Sequence, residues 1–239
     1  MTTLSDTIFL CAPTFRSRAY AQAMAAETIM PDKIILLPGK EPTSDIQQML
    51  SLSIEKHKNI TFNPSIPARS IFSNTDLIKA PTADVNSEQF INFLSEFNHT
   101  VVIYSGIGGT ILRQPLLSIG KKFLHVHGGY APNYRGSTAF YYSLLKEGTL
   151  AATALWLECE IDAGPILGRK KYLAIDGIDI DTILDPCVRA SLLLDIMKIR
   201  KKTGSYPKGF KDNRNAFTYF VIHPLLKYRV LKQHKLLRP

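Results

Sequence analysis

Two stretches, Thr100 to Ser105 (TVVIYS) and Lys122 to His127 (KFLHVH), constrain this chain more than any other part of it. Both are short, β-branched and aromatic, and a glycine-containing loop and a short helical stretch around Leu112 to Ile119 separate them. Continuous apolar strands separated by helices belong to a largely parallel sheet covered on both faces. The N-terminal segment repeats the pattern: apolar runs at Thr7 to Ala12 and Lys33 to Leu37 flank an alanine-rich stretch, Ala19 to Thr28, giving strand, helix, strand. Helical spacing is present in Asp45 to His57 (Ile46, Met49, Leu50, Ile54) and in Ser87 to Phe97, where Ser87 followed by Glu88 and Gln89 suits a helix start. Ser137 to Lys146 reads as a helix, Thr153 to Leu157 and Lys170 to Ile175 as strands, and Ile180 to Lys202 as a longer helix interrupted or started by Pro186. The predicted fold class is a doubly wound α/β domain over residues 1–204. After the turn-rich break Ser205 to Gly209, residues 205–239 form a basic, aromatic extension that docks on the domain or makes a dimer interface.

Composition narrows the function classes. A chain of 239 residues fits one large domain with a real core. No window approaches the roughly 18 consecutive apolar residues of a membrane span. The N-terminus lacks a basic stretch before its short apolar run and a small-residue cleavage site, so the expected location is the cytoplasm. Cys11, Cys159 and Cys187 have neither disulfide nor metal-ligand spacing and read as packing residues. The net charge of +9 is concentrated in residues 198–239, where twelve Lys/Arg face one acid, Asp212. Such a region is either a solvated basic end or an attractor of nucleic acid, an anionic membrane surface or phosphorylated substrates.

Chemistry is concentrated in residues 123–167. On a strand, His125 and His127 are two apart and share a face. They stand near its carboxyl end, where parallel sheets bind ligands, and Gly128-Gly129 lets the backbone turn and approach a ligand closely. Asp162 lies in a second irregular segment, Ile161 to Pro165, able to fold over the first. Three readings stay open on these residues alone: packed or solvated histidines, a three-ligand site for zinc or non-haem iron, and acid–base catalysis. The glycine-rich run Ser105 to Thr110 lacks the spacing of a phosphate-cradling loop.

The order His125-x-His127, a glycine turn, Pro132, Tyr134-Arg135-Gly136, a helix, and Asp162-x-Gly164-Pro165-Ile166 resembles the formyltransferase family. That family includes methionyl-tRNA formyltransferase, the glycinamide ribonucleotide enzyme and sugar N-formyltransferases, and its pattern runs N-x-H, L-P-x-Y-R-G, D-x-G. Here His125 replaces the Asn and Ala131 replaces the Leu before Pro132. The resemblance implies a Rossmann-like fold and metal-independent transfer of a formyl group from 10-formyltetrahydrofolate to an amine. It makes His127 the group that takes and returns a proton, Asp162 its orienting partner, and His125 the donor to the oxyanion in place of the Asn amide. It places the folate between Ser105, Gly106, Ile107, Gly108, Gly109 and Thr110 on one side and Cys159, Glu160, Ile161 and Gly164 on the other, with Gly128, Gly129 and Arg135 toward the acceptor. Small members without a tRNA-holding C-terminal barrel resemble sugar N-formyltransferases. The expected acceptor is therefore a nucleotide-linked amino sugar in surface-polysaccharide assembly, with glycinamide ribonucleotide or methionyl-tRNA as the alternatives. A homodimer is the expected assembly, with neither a membrane span nor a nucleic-acid partner.

Overall fold

The computed structural model describes all residues except 44, 48, 49, 51–60, 73–75 and 237–239. Seven strands form one sheet: β1 (Thr2–Cys11), β2 (Ile29–Leu36), β3 (Leu77–Lys79), β4 (Val101–Ser105), β5 (Lys122–His127), β7 (Thr149–Trp156) and β8 (Ile166–Leu173), in the order β3-β2-β1-β4-β5-β7-β8. The first five in that order run parallel, and β7 and β8 close one edge antiparallel. Helices α1 (Phe15–Ala26), α2 (Glu88–Ser95), α3 (Ala139–Glu147) and α4 (Asp185–Thr203) surround the sheet, and α5 (Pro224–Gln233) follows in the extension.

Alternate residues of β1 show why the sheet is covered twice. Phe9 joins a hydrophobic cluster with Tyr20 of α1 and with Ile196 and Met197 of α4, whereas Ile8 and Leu10 join a second cluster with Phe90 and Leu94 of α2. All three β1 residues are fully buried, and burial of such a side chain contributes about 2 kcal/mol. Each helix begins where local chemistry allows it. Thr14 Oγ1 accepts the Ser17 amide at the start of α1, and Ser87 Oγ does the same for Phe90 at α2. Pro186 sits in the first turn of α4, where its missing N–H breaks no hydrogen bond, so it starts this helix rather than interrupting it. A π-helical turn, Ile180–Leu184, leads in.

The strands of the antiparallel edge differ from their predicted bounds. β7 begins at Thr149 and β8 spans Ile166–Leu173, because cross-strand pairing from Thr149↔Leu173 onward recruits the alanine-rich Leu150 to Ala154, whose own strand preference is weak. Most of the predicted helix Asp45 to His57 lies outside the described residues. The extension runs over the domain: Tyr206 Oη is 2.8 Å from Thr7 Oγ1, Phe210 bridges to Ile166, and Val230 of α5 is fully buried. A two-residue strand, β9 (Thr218–Tyr219), pairs in parallel with β6 (Arg135–Gly136). Among the described residues no helix is long and apolar enough to cross a membrane.

Candidate active site

His127 ends β5, opposite Thr153 of β7, and is 5% exposed. Its Nδ1 lies 3.1 Å from Asp162 Oδ2, and its Nε2 donates to the Tyr134 carbonyl at 2.7 Å. The same Asp162 oxygen accepts the Gly136 N–H at 2.8 Å. Asp162 is held in the left-handed region at φ 50°, a conformation sparsely populated outside glycine and stored where a side chain must be aimed. Burial alone would raise its pKa. The charges of His127 and His125, the Gly136 amide and Arg189 outweigh burial and hold the carboxyl below its ordinary value.

The glycines of this region serve the pair. Gly136 has φ 87°, and a Cβ there would meet the Tyr219 carbonyl oxygen. A Cβ on Gly129 would meet the Tyr134 carbonyl and lie 2.6 Å from His127 Nε2, and one on Gly128 would strike the Arg189 and Asp185 side chains. Gly128 and Gly129 therefore let other groups pack behind His127 and stand back from the cavity that it faces.

That cavity, of about 760 Å³, opens at the carboxyl ends of β4 and β5 and brings His125, His127 and Asp162 together. Its size is ordinary for a small-molecule site. Of the residues assigned to the folate, Ile107, Gly108, Gly109, Thr110, Cys159 and Ile161 line it. Ser105 does not: it is fully buried, with its Oγ 2.7 Å from Ser17 Oγ and accepting from Arg16 Nε. Gly106 gives room to the Tyr104 ring, whose hydroxyl has no partner among the described residues. Glu160, Gly164 and Arg135 lie around a separate cavity of about 150 Å³, where Arg135 and Glu160 form an ion pair of 2.9 Å. Apolar walls at Ile107, Leu112 and Leu157, with glycine backbone between them, suit a flat heterocycle held by main-chain groups.

Several lining residues had no marker in the sequence. Arg16, at the start of α1, bonds the Gly106 carbonyl, and Arg189 of α4 donates to Asp185 at 2.8 Å and to the Val126 carbonyl at 3.1 Å. Both guanidinium groups border the cavity beside His125. Thr218, Tyr219, Phe220 and Val221 of the extension form another wall. The spacing of Asp185 and Arg189, four apart in a helical run, was a signal for an ion pair but carried no link to the histidines.

His125, half-buried, faces the Tyr104 carbonyl through Nδ1 at 3.5 Å. Burial, and then the nearby Arg16, push its pKa down to about 3, with Asp162 opposing. No set of three or more His, Cys, Asp or Glu side chains among the described residues is placed to hold a metal ion. Both nitrogens of His127 already face oxygen acceptors within the chain.

Against known proteins, no family model matches the chain. The methionyl-tRNA formyltransferase of Finegoldia magna is 25% identical over 177 residues, which are 72% of this chain and 54% of that one. The chain spans about half the length of the curated relatives that it matches. Among solved structures, a sugar N-formyltransferase from a Shewanella species superposes with a TM-score of 0.56 at 14% identity, over 94% of this chain and 86% of that one. The glycinamide ribonucleotide transformylase of Symbiobacterium toebii gives 0.55 at 14% identity, over 83% and 88%. With those folds superposed on it, and His127, Gly136 and Asp162 converging on one cavity, the chain resembles the formyltransferase family in sequence and carries its fold.

Proposed function

We propose that the chain transfers the formyl group of 10-formyltetrahydrofolate to the amine of a nucleotide-linked amino sugar. The observation that carries this reading is the His127–Asp162 pair, fixed by the Gly136 amide at the wall of the large cavity. Attack of an amine on the formyl carbon places negative charge on its oxygen. A carbonyl and a carboxylate both accept hydrogen bonds, so Tyr134 and Asp162 hold the His127 ring from either nitrogen at the wall beside the developing oxyanion. Asp162 orients the ring. For His127 to carry the proton as well, its ring must first leave the Tyr134 carbonyl. Groups that line the cavity would hold the folate: the backbone of Gly108 and Gly109, and the apolar side chains of Ile107 and Leu157.

Arg16 and Arg189 beside the reacting centre support an anionic acceptor, and the fold shared with sugar N-formyltransferases supports the amino sugar. The sequence similarity to methionyl-tRNA formyltransferases favours a second reading, with the aminoacyl amine of a charged tRNA as acceptor. Incubation with 10-formyltetrahydrofolate and a panel of nucleotide-linked amino sugars, glycinamide ribonucleotide and methionyl-tRNA, followed by mass measurement of each acceptor, separates them. The expected result is a formyl increment on an amino sugar and none on tRNA. Formylated tRNA alone would replace the acceptor and leave the chemistry standing; no increment on any amine would end the formyl-transfer reading.

A further inference from the structure

The two histidines of the cavity are not equivalent, and the difference lies in which lone pairs remain. Both nitrogens of His127 are already turned to oxygens of the chain, Nε2 to the Tyr134 carbonyl and Nδ1 to Asp162, so neither is directed at a ligand. His125 is arranged otherwise. Its Nδ1 faces the Tyr104 carbonyl at 3.5 Å, a long contact to an oxygen that only accepts, and this favours hydrogen on Nδ1 and a lone pair on Nε2. Nε2 has no hydrogen-bond partner among the described residues, and the ring lines the cavity. A residue placed to donate to an oxyanion would show the opposite tautomer.

Resting on the formyl-transfer reading, we propose that His125, through Nε2, takes the proton from the attacking amine and returns it to the departing folate nitrogen. The amine lone pair forms the new N–C bond while the carbonyl π pair moves to oxygen. The amine proton passes to His125 Nε2. The carbonyl then re-forms, the bond from carbon to N10 breaks, and the electron pair left on N10 takes the proton from Nε2. The products are the formamide and tetrahydrofolate, and His125 is neutral again. No further reactant enters.

The surroundings favour a proton held briefly. Arg16 of α1, Arg189 of α4 and His127 of the same strand oppose a charged His125, while Asp162 of the β7–β8 loop opposes them. Asp185 of α4, already paired to Arg189, and Tyr104 of β4, whose ring lies beside that of His125, also line the cavity, as do Glu158, Cys159, Asp181 and Tyr219. An imidazolium in that setting is a strong acid, suited to delivery to N10, whereas the neutral ring is a weak base, so uptake from the amine is the uphill half of the transfer. The Asn of the family pattern cannot carry a proton in this way, so the substitution changes the route of the proton and not merely a donor.

Two measurements test this. In the full chain labelled with 15N-histidine, long-range proton–nitrogen correlation reads the tautomer of each ring, and loss of one signal set in His125→Asn assigns His125. The expected state is neutral with hydrogen on Nδ1 from about pH 5 to 8, the range in which an ordinary histidine titrates. Hydrogen on Nε2, or a charged ring in that range, overturns the proposal, whatever the acceptor. In the second, kcat of His125→Ala is expected to fall about 100-fold, the scale of general base catalysis, and to recover in proportion to added neutral imidazole. An Ala variant with wild-type kcat, or a folded one that imidazole does not rescue, overturns it. If wild-type protein formylates no amine, the functional reading fails and the tautomer still stands or falls by the spectrum.

Discussion

At His125, burial and two guanidinium groups make a charged ring costly, and stability should register this. In the unfolded chain a histidine takes its proton near pH 6.5, whereas in the folded chain this one resists until about pH 3. Between those values the unfolded state binds more protons, so the contribution of His125 to stability is complete above about pH 6.5 and drains away as the pH falls toward 3. The urea midpoint of wild-type protein should therefore fall more steeply from pH 7 to 4 than that of His125→Asn, which has no such proton to refuse. Parallel curves would mean that water reaches the ring freely. The histidines and Asp162 were legible because a strand of period two and a fixed order of motifs place them. Arg16 and Arg189 were not: a single basic residue in a helical stretch looks the same whether it faces a ligand or solvent, and only the sheet that brings α1 and α4 to His125 distinguishes the two.

Strands β6 and β9 show what an element of two residues can do. Neither has a periodicity to read, so their pairing left no mark in the sequence; the long apolar runs of β4 and β5 were plain for the opposite reason. Within this pairing, Arg135 N–H donates to the Phe217 carbonyl and Ser137 N–H to the Tyr219 carbonyl, while Tyr219 lies stacked against Tyr134 and Tyr142. Gly136 links the ladder to the chemistry, since its N–H holds Asp162 and its missing Cβ admits Tyr219. Gly136→Ala should cost about 1–3 kcal/mol of stability, from the positive φ and the displaced carbonyl. It should also lower kcat more than it raises the KM for folate, because Asp162 loses a fixed partner. Urea unfolding together with steady-state kinetics would check both; a variant with unchanged stability and kcat would show that the two strands separate without consequence for the carboxylate.

Over the whole molecule, the basic excess of the later chain is partly absorbed by acids of the body. Lys198 pairs with Glu27, Arg200 with Asp6, Lys211 with Glu158 and Lys227 with Asp181. Exposed pairs of this kind are individually weak, so attachment rests mainly on the buried Ile222, Val230 and Leu236. Removal of the residues beyond 205 should lower both the urea midpoint and the m-value and expose apolar surface to a hydrophobic dye, since less area is then buried on folding. Unchanged unfolding would identify the extension as a loosely held tail. Its path also has a bearing on the nascent protein. A ribosome releases β5 and β6, with both histidines, well before it releases the segment that walls the cavity at Thr218 to Val221. During synthesis the reacting groups are thus assembled on an open cleft, and the pocket acquires its final wall only as β9 finds β6.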